Sequence, residues 1–393
     1  MNVPKLRFKE FNDNWKSYKL SDLVEFFKGN LLAKSDLDDN GKYPCILYGQ
    51  LYTKYKEVIR IIESKTNRDE KNIPRSKKGD VLIPSSGETP IDISTSSCIQ
   101  SDNVLLGGDI NILRPINCDG RFLSYTINNN KKTEIARVAQ GHSVVHLYID
   151  NLKYVSINVP SIKEQNKIAD ALELLDKKIE LQNKKIEDLK LFKKGLLIKE
   201  FNNKKCNNKL KECFDFGKAG GTPKSTNKDY YNGYIPFLSI SDMTTQGKYI
   251  YYTDKSITEA GLNNSTAWLV PKNSIIISMY ASYGLVSINK IDLTTSQAMF
   301  NMVINKNYVV EYIYYYLYYL YISNFYNSIV STGTQSNLNA EQIKLLDIYI
   351  PCYNEQKRIY EQFSKIDFKI NLEQKKINEL LYLKKGLMQN MFV

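Results

Sequence analysis

Two histidines, His142 and His146, are the only imidazoles in the chain, and a four-residue spacing would place both on one face of a helix, where they could ligate a metal ion. Two of the three residues between them are valines and no third ligand stands nearby, so the pair is not read as a metal site. Glu-x-Lys, a fragment of many nuclease centres, occurs at Glu63/Lys65, Glu355/Lys357 and Glu373/Lys375. Three occurrences, two of them in one repeated segment, carry no weight. There is no Pro-Pro dipeptide, which removes the Asn/Asp-Pro-Pro-aromatic clasp that holds an amine for adenine methylation, and no convincing glycine loop for S-adenosylmethionine. Nor is there a Gly-Lys-Ser/Thr, so the phosphate-binding loop of a motor is missing as well. The six cysteines, Cys45, Cys98, Cys118, Cys206, Cys213 and Cys352, show no CxxC spacing. In a chain without an export signal they read as reduced, mostly buried thiols of a cytoplasmic protein. No catalytic residue is assigned.

What remains is charge and hydrogen bonding. The formal net charge is +12 and the pI about 9.1, which favours an acidic partner such as nucleic acid. The excess is spread along the chain, with no polybasic tail. The longest apolar runs are too short to span a bilayer, so no membrane contact is expected. Tyr312 to Tyr321, YIYYYLYYLY, could stack bases, but so dense a set of large rings reads better as a packing helix.

The elements that must position any site repeat. Pro160 to Phe201 lies over Pro351 to Phe392 at a constant offset of 191 without a gap, with 17 of 42 residues identical. Ile168, Leu175, Leu189 and Leu196 form one seven-residue series and Leu172, Ile179 and Ile186 another, the seam of a coiled-coil helix. Ile359, Ile366, Leu380 and Leu387, with Phe363, Ile370 and Ile377, repeat both registers. Such a helix is roughly 60 Å long. Gln182 and Glu373 interrupt one series at matching places, and Lys193 and Lys384 the other. In an antiparallel pair Gln182 would face Glu373, a central polar layer that fixes register; pattern alone leaves a parallel pair open. Ser161-Ile-Lys-Glu164 has the form of a capping box for the first helix, and Asn354 is the candidate cap of the second.

The remaining segments repeat more weakly. WKSYKLSDLVEFFKG (Trp15 to Gly29) corresponds to NNKLKECFDFGKAGG, with Leu210 on Leu20 and Phe216 on Phe26. The turn and buried strand around Val81 to Pro84 resemble those around Ile275 to Ile277. Further strands are expected at Val104 to Leu106, Ile110 to Leu113, Met302 to Ile304, Val155 to Val159 and Ile348 to Ile350. The fold class is therefore α+β, a tandem repeat of a strand-rich globular domain followed by a long helix, with boundaries at 1–155, 156–202, 203–347 and 348–393; the two helices are expected to form an antiparallel intramolecular coiled coil, which gives the chain a pseudo-two-fold axis.

A helix opening P-x-x-x-E-Q and closing K-K-G-L, present twice, and the segment GGTPKSTNKDYYNGYIPFLSISDM (Gly220 to Met243) resemble the specificity subunit of a Type I restriction-modification system over essentially the whole chain. YPCILYGQLYTKY (Tyr43 to Tyr55), IPSSGETPIDIS (Ile83 to Ser94) and TSQAMF (Thr295 to Phe300) resemble further segments of that family. The resemblance implies two target recognition domains, each reading one half of a bipartite double-stranded DNA sequence, with the helix pair as a ruler for the gap. It implies two methyltransferase subunits and motor-nuclease restriction subunits as partners. This chain would bind no cofactor, and S-adenosylmethionine, ATP and Mg would sit on the partners. A coiled-coil adaptor holding two protein-binding domains apart is the alternative; a self-sufficient methyltransferase is disfavoured by the missing motifs.

Base readout needs side chains that present donors and acceptors to base edges. Loop position nominates Gln50, Lys54, Arg75, Glu88 and His142 in the first domain. In the second it nominates Thr222, Lys224, Ser225, Ser241, Tyr280, Ser282, Gln335 and Asn337. Gly220-Gly-Thr-Pro223 is either a plain turn or, with its backbone N–H groups and Lys224, a phosphate contact.

Overall fold

A computed structural model describes residues 3–141, 144–280, 282–330 and 337–393. The chain divides into two compact units, Met1–Asn183 with Lys375–Val393, and Lys184–Gln374. Each unit therefore takes part of both long helices, Ile162–Phe201 and Tyr353–Met391.

The first unit is built on a five-stranded sheet in the order Val24–Lys28, Ile110–Pro115, Val81–Pro84, Ser97–Ile99, Val58–Ile59. Neighbours are antiparallel except the last pair. The second unit has Phe214–Ala219, Met299–Ile304, Ile275–Ser278, Val286–Asn289 and Tyr249–Ile250 in the same order and with the same polarities. The central strands VLIP and IIIS are buried at every residue, which is why they read as unbroken apolar runs rather than alternating ones. A three-stranded sheet accompanies each: Ser64–Thr66, Tyr43–Ile46, Leu105–Leu106 in one unit and Lys255–Ile257, Tyr231–Leu238, Thr294–Thr295 in the other. In both, the middle strand is antiparallel to the first partner and parallel to the second.

The strand before each long helix returns to the start of its unit, Ser156–Val159 on Lys16–Lys19 and Asp347–Ile348 on Asn208–Lys209. The expected strand Ile348 to Ile350 is thus shorter and shifted towards Asp347. The glutamine of P-x-x-x-E-Q then does the same work twice. Gln165 donates to the Pro160 carbonyl at 2.9 Å and accepts the Asp119 N–H at 3.0 Å; Gln356 donates to Pro351 at 2.9 Å and accepts the Val309 N–H at 3.0 Å. Both are buried, so each helix start is tied to its own globular core.

The glutamate beside it departs from the capping box expected at Ser161. Ser161 Oγ accepts the Glu164 N–H at 3.4 Å, but the Glu164 carboxylate turns to Arg7, which donates through Nε and Nη2 at 2.7 Å each. A charge-assisted bidentate pair outcompetes a reciprocal bond to one backbone N–H. Asn354 is not the cap of the second helix, because that helix starts at Tyr353 and Asn354 falls inside its first turn.

Within each unit the long helices are antiparallel. Tyr125 of helix Gly120–Thr126 donates to Asp176 at 2.6 Å, and Lys384 of the second long helix reaches the same carboxylate at 2.6 Å. In the other unit Tyr315 of helix Val310–Ile322 donates to Asp367 at 2.6 Å, and Lys193 of the first long helix meets it at 2.5 Å. The lysines that break the apolar series are therefore the cross-helix partners of a carboxylate at a repeated position. Phe392 stacks on Phe122 and Phe201 meets Tyr312 edge-on, again at equivalent places. The tyrosine-rich segment is a packing helix: Tyr312, Tyr314, Tyr315, Tyr316 and Tyr319 are all buried.

The two junctions differ in charge at one position. Lys384 also pairs with Glu57 at 3.1 Å, whereas Lys193 shares Asp367 with Lys248, 3.6 Å from it. Asp367→Ala would leave two lysines without a carboxylate; Asp176→Ala leaves Lys384 its second partner. We expect Asp367→Ala to cost about 2–4 kcal/mol and Asp176→Ala about 1 kcal/mol, read by denaturant unfolding of the intact chain. Equal losses would contradict this account of the junctions.

Candidate nucleic-acid interface

In the first unit the candidates separate into free and committed side chains. Gln50 lies in helix Tyr48–Thr53, is buried, accepts the Leu47 N–H at 2.9 Å and donates to Ser64 Oγ. Its amide is spent on local structure, so the expectation that it reads a base is not met by the geometry. Lys54, at the end of that helix, makes an exposed pair with Glu63 at 3.1 Å. Arg75 pairs with Asp69 and donates to the Asn103 carbonyl at 3.3 Å. Exposed pairs of this kind contribute about 0–1 kcal/mol, so a phosphate can displace the carboxylate at small cost. Glu88 is exposed next to strand Ser86–Gly87, which pairs with Val145–His146. His146 Nδ1 is 3.0 Å from Ser86 Oγ, and Gln140 and His146 bond each other through both backbone N–H groups. His146 is thereby a strand residue facing serine. His142 lies outside the described residues, as does Gln335.

The second unit gathers its candidates more closely. Gly220 and Gly221 donate their N–H groups to Met299 and Thr295 at 3.0 and 2.9 Å. A Cβ at Gly221 would fall 2.2 Å from the Ala267 nitrogen, and one at Gly220 2.3 Å from the Thr295 carbonyl oxygen. Glycine is needed there for close backbone approach, and neither N–H is left for phosphate. The adjoining Thr222, Lys224 and Ser225 are exposed, and Thr222 Oγ1 donates to Gln297. Met279, next to Tyr280, abuts the same place: it donates to the Ala298 carbonyl at 2.8 Å and accepts from Leu338, next to Asn337, at 2.9 Å. Ser282 adopts a left-handed φ of 60°. Thr222, Gln297, Tyr280, Ser282 and Asn337 thus belong to neighbouring loops. Ser241 lies in the first turn of helix Ile240–Gln246, 2.7 Å from Ser239 Oγ and just after Leu238, which pairs in parallel with Thr295. Gln297 was not among the sequence candidates, although it lies in the segment TSQAMF; only the Thr222 contact singles it out.

No group of three or more metal-binding side chains occurs among the described residues. Burial pushes the thiols of Cys45 up to about 11 and of Cys118 and Cys213 up to about 12, which keeps them protonated and poor nucleophiles. Cys206 and Cys352 are exposed rather than buried. No helix among the described residues is long and apolar enough to cross a membrane.

Two units of one topology, each presenting polar loops and sharing a pair of antiparallel helices, define a duplicated recognition scaffold. The chain belongs to the family of the Type I restriction modification DNA specificity domain, which it matches at residues 12–191 and 203–382. It is similar to the Type I restriction enzyme MjaIX specificity subunit of Methanocaldococcus jannaschii, 31% identical over 176 residues, covering 44% of this chain and 40% of that one. The HindI specificity subunit of Haemophilus influenzae is 28% identical over 178 residues, 44% and 38% of the two chains. The chain thus spans about two fifths of the length of these curated relatives. In fold it resembles the crystal structure of a Type I restriction-modification S subunit from M. genitalium, with a TM-score of 0.63 and 19% identity over 100% of this chain and 99% of that one.

The loop geometry separates structure from contact. Gly221→Ala is expected to lower stability by about 2 kcal/mol or more, because backbone must move to admit the methyl group. Lys224→Ala, on an exposed side chain, should leave the unfolding midpoint unchanged while reducing the salt dependence of DNA binding. A Gly221→Ala chain as stable as the parent would refute the packing assignment.

Proposed function

We propose that the chain is the DNA sequence-specificity subunit of a Type I restriction-modification complex. Each globular domain reads one half of a bipartite double-stranded target, and the paired helices fix the gap between the halves. The observation that carries this reading is the duplication itself: one strand order and one helix junction occur twice, while the loops that follow the matched central strands carry different side chains, Glu88 and Thr89 in one and Tyr280 and Tyr283 in the other. An identical frame with unlike loops suits two unlike half-sequences, and stiff helices convert chain length into a fixed separation where a flexible linker would not. The excess positive charge supports phosphate contact, with Lys54, Arg75 and Lys224 as the displaceable or free cations.

The chain supplies no catalytic residues in this reading. Adenine methylation falls to two methyltransferase subunits, and cleavage to restriction subunits that translocate DNA, with S-adenosylmethionine, ATP and Mg bound on those partners. Outward apolar residues recur at matched places on the long helices: Leu181 and Leu372, Leu191 and Tyr382, Phe192 and Leu383, all exposed. Matched surfaces suit two copies of one partner. Gln182 and Glu373 add a polar layer to the register that the Asp176 and Asp367 pairs select. Glu373 is buried and accepts Lys185 at 2.8 Å, which gives that position a charge to hold.

Methylation mapping in cells carrying this chain with its neighbouring methyltransferase, against the methyltransferase alone, is expected to reveal modified adenines at a single split motif that needs this chain. Formation of the complex without any new motif would overturn the proposal. Inserting seven residues at matching places in both helices should lengthen the gap and leave both half-sequences unchanged. Retention of the original gap would remove the ruler from the mechanism.

A further inference from the structure

The junction of the second unit contains a cavity of about 850 Å³ between helix Val310–Ile322, the sheet edge and the two long helices. Lys190, Lys193, Lys194 and Lys248 line it against one carboxylate, Asp367. Its walls are aromatic: the Tyr314 and Tyr318 rings stack with centroids 5.9 Å apart and planes at 6°, and Tyr251 and Tyr252 are exposed at its side. The first unit has a cavity of about 410 Å³ at the corresponding place, but Glu57 stands where Lys248 does. The equivalence is structural: the Glu57 carbonyl accepts the Cys98 N–H and the Lys248 carbonyl the Ile288 N–H, both at 2.8 Å, one residue before the parallel edge strand. One frame therefore carries two carboxylates around Lys384 in one unit and two ammonium groups around Asp367 in the other.

We propose that the cavity of the second unit binds a free nucleoside monophosphate, its phosphate on Lys248 and Lys193 and its base against the tyrosines. The volume lies within the range of small-ligand sites, and a mostly apolar wall with a few convergent charges is the composition such sites have. Flat tyrosine faces accept a planar base, while a phosphate supplies the negative charge that the second carboxylate supplies in the first unit. Lys248 is nearly enclosed, with 12% of its side chain exposed, and its ammonium donates to the Tyr315 hydroxyl at 2.8 Å and lies 4.2 Å from the centre of that ring. Burial pushes Lys248 down to about 8; Asp367 and Glu311 pull it up, and Lys193 pushes it further down. Glu311 is drawn towards Lys290, 3.6 Å away, and Tyr249, Tyr314 and Tyr360 face Lys248 with neutral rings. An anion on Lys248 would oppose that depression, so the complex should weaken as pH rises through about 8, where the ammonium loses its proton.

Isothermal titration calorimetry of the intact chain with AMP, adenosine, inorganic phosphate and a 5′-phosphorylated single-stranded oligonucleotide at pH 7 tests the assignment. Saturable AMP binding is expected, with adenosine and phosphate each at least about tenfold weaker and the oligonucleotide weaker than AMP. Lys248→Glu, which gives the second cavity the charge of Glu57, should weaken AMP by at least about tenfold. Tyr252→Ala, on an exposed side chain, should weaken it without moving the unfolding midpoint, and it serves as the reading should Lys248→Glu fail to fold. Absence of AMP binding, equal binding of adenosine, tighter binding of the oligonucleotide, or full affinity in either folded variant would overturn the proposal. None of these outcomes bears on reading a split DNA target, which methylation mapping tests separately.

Discussion

A carboxylate at a repeated position, Asp176 in one unit and Asp367 in the other, is the constraint on which the architecture depends. Each accepts a tyrosine hydroxyl from the helix that covers its sheet and an ammonium from the opposite long helix. Three elements are thereby held by one charge. A partly buried ion pair adds little net stability compared with apolar packing, but leaving either partner alone in that setting is costly, so the contact selects a register more than it strengthens it. Because the lysine comes from the other helix, each unit taken by itself is satisfied by an antiparallel pairing. Sliding the helices by one turn would bury unpaired charge in each.

Around these junctions the two units share a frame rather than a surface. Central strands such as VLIP and IIIS need only be apolar and β-branched to sit at the middle of a twisted sheet, and they tolerate sequence change as long as that holds. The buried glutamines at the helix starts tolerate none, since each satisfies a carbonyl and an N–H at once. Loops obey neither rule. The glycines at 220 and 221 are held by close backbone contact, while Thr222 and Lys224 beside them face solvent. A family member can therefore change what it recognises without disturbing how it folds.

The same freedom reaches into the junctions. Exchange of Glu57 for Lys248 at one structural position reverses the charge balance while both frames keep the backbone bond that defines the site. The tyrosines packed around Lys248 accommodate its ammonium through their ring faces, a role that the polar neighbours Asn128 and Lys132 of the first cavity do not offer. Divergence after duplication has thus made two chemically distinct concave surfaces from one fold.

Much of this was legible in the residues alone. The constant offset of 191 fixed the duplication, the seven-residue series fixed the long helices, and the density of rings in Tyr312 to Tyr321 fixed a packing helix, because each is a local periodic property of the chain. Lys193 and Lys384 could be seen as interruptions of a seam but not as partners of Asp367 and Asp176, which lie 174 and 208 residues away. Leu197 and Met388 stand outside both series yet are buried, since the globular domain covers a face that a two-helix seam would leave wet. Glu164 and Glu355 occupy one motif position, but Arg7 claims the first and Arg358 of the same turn the second. Gln50 looked like a reader of bases and proved to be a buried brace; Gln297 became visible through its contact with Thr222. Sequence by itself determined which elements form and that they form twice, because helix and strand periods are set by neighbours along the chain. Tertiary structure alone decided the direction of the helix pair, the partner of every buried charge and the side chains left facing solvent, because those depend on groups that meet only after folding.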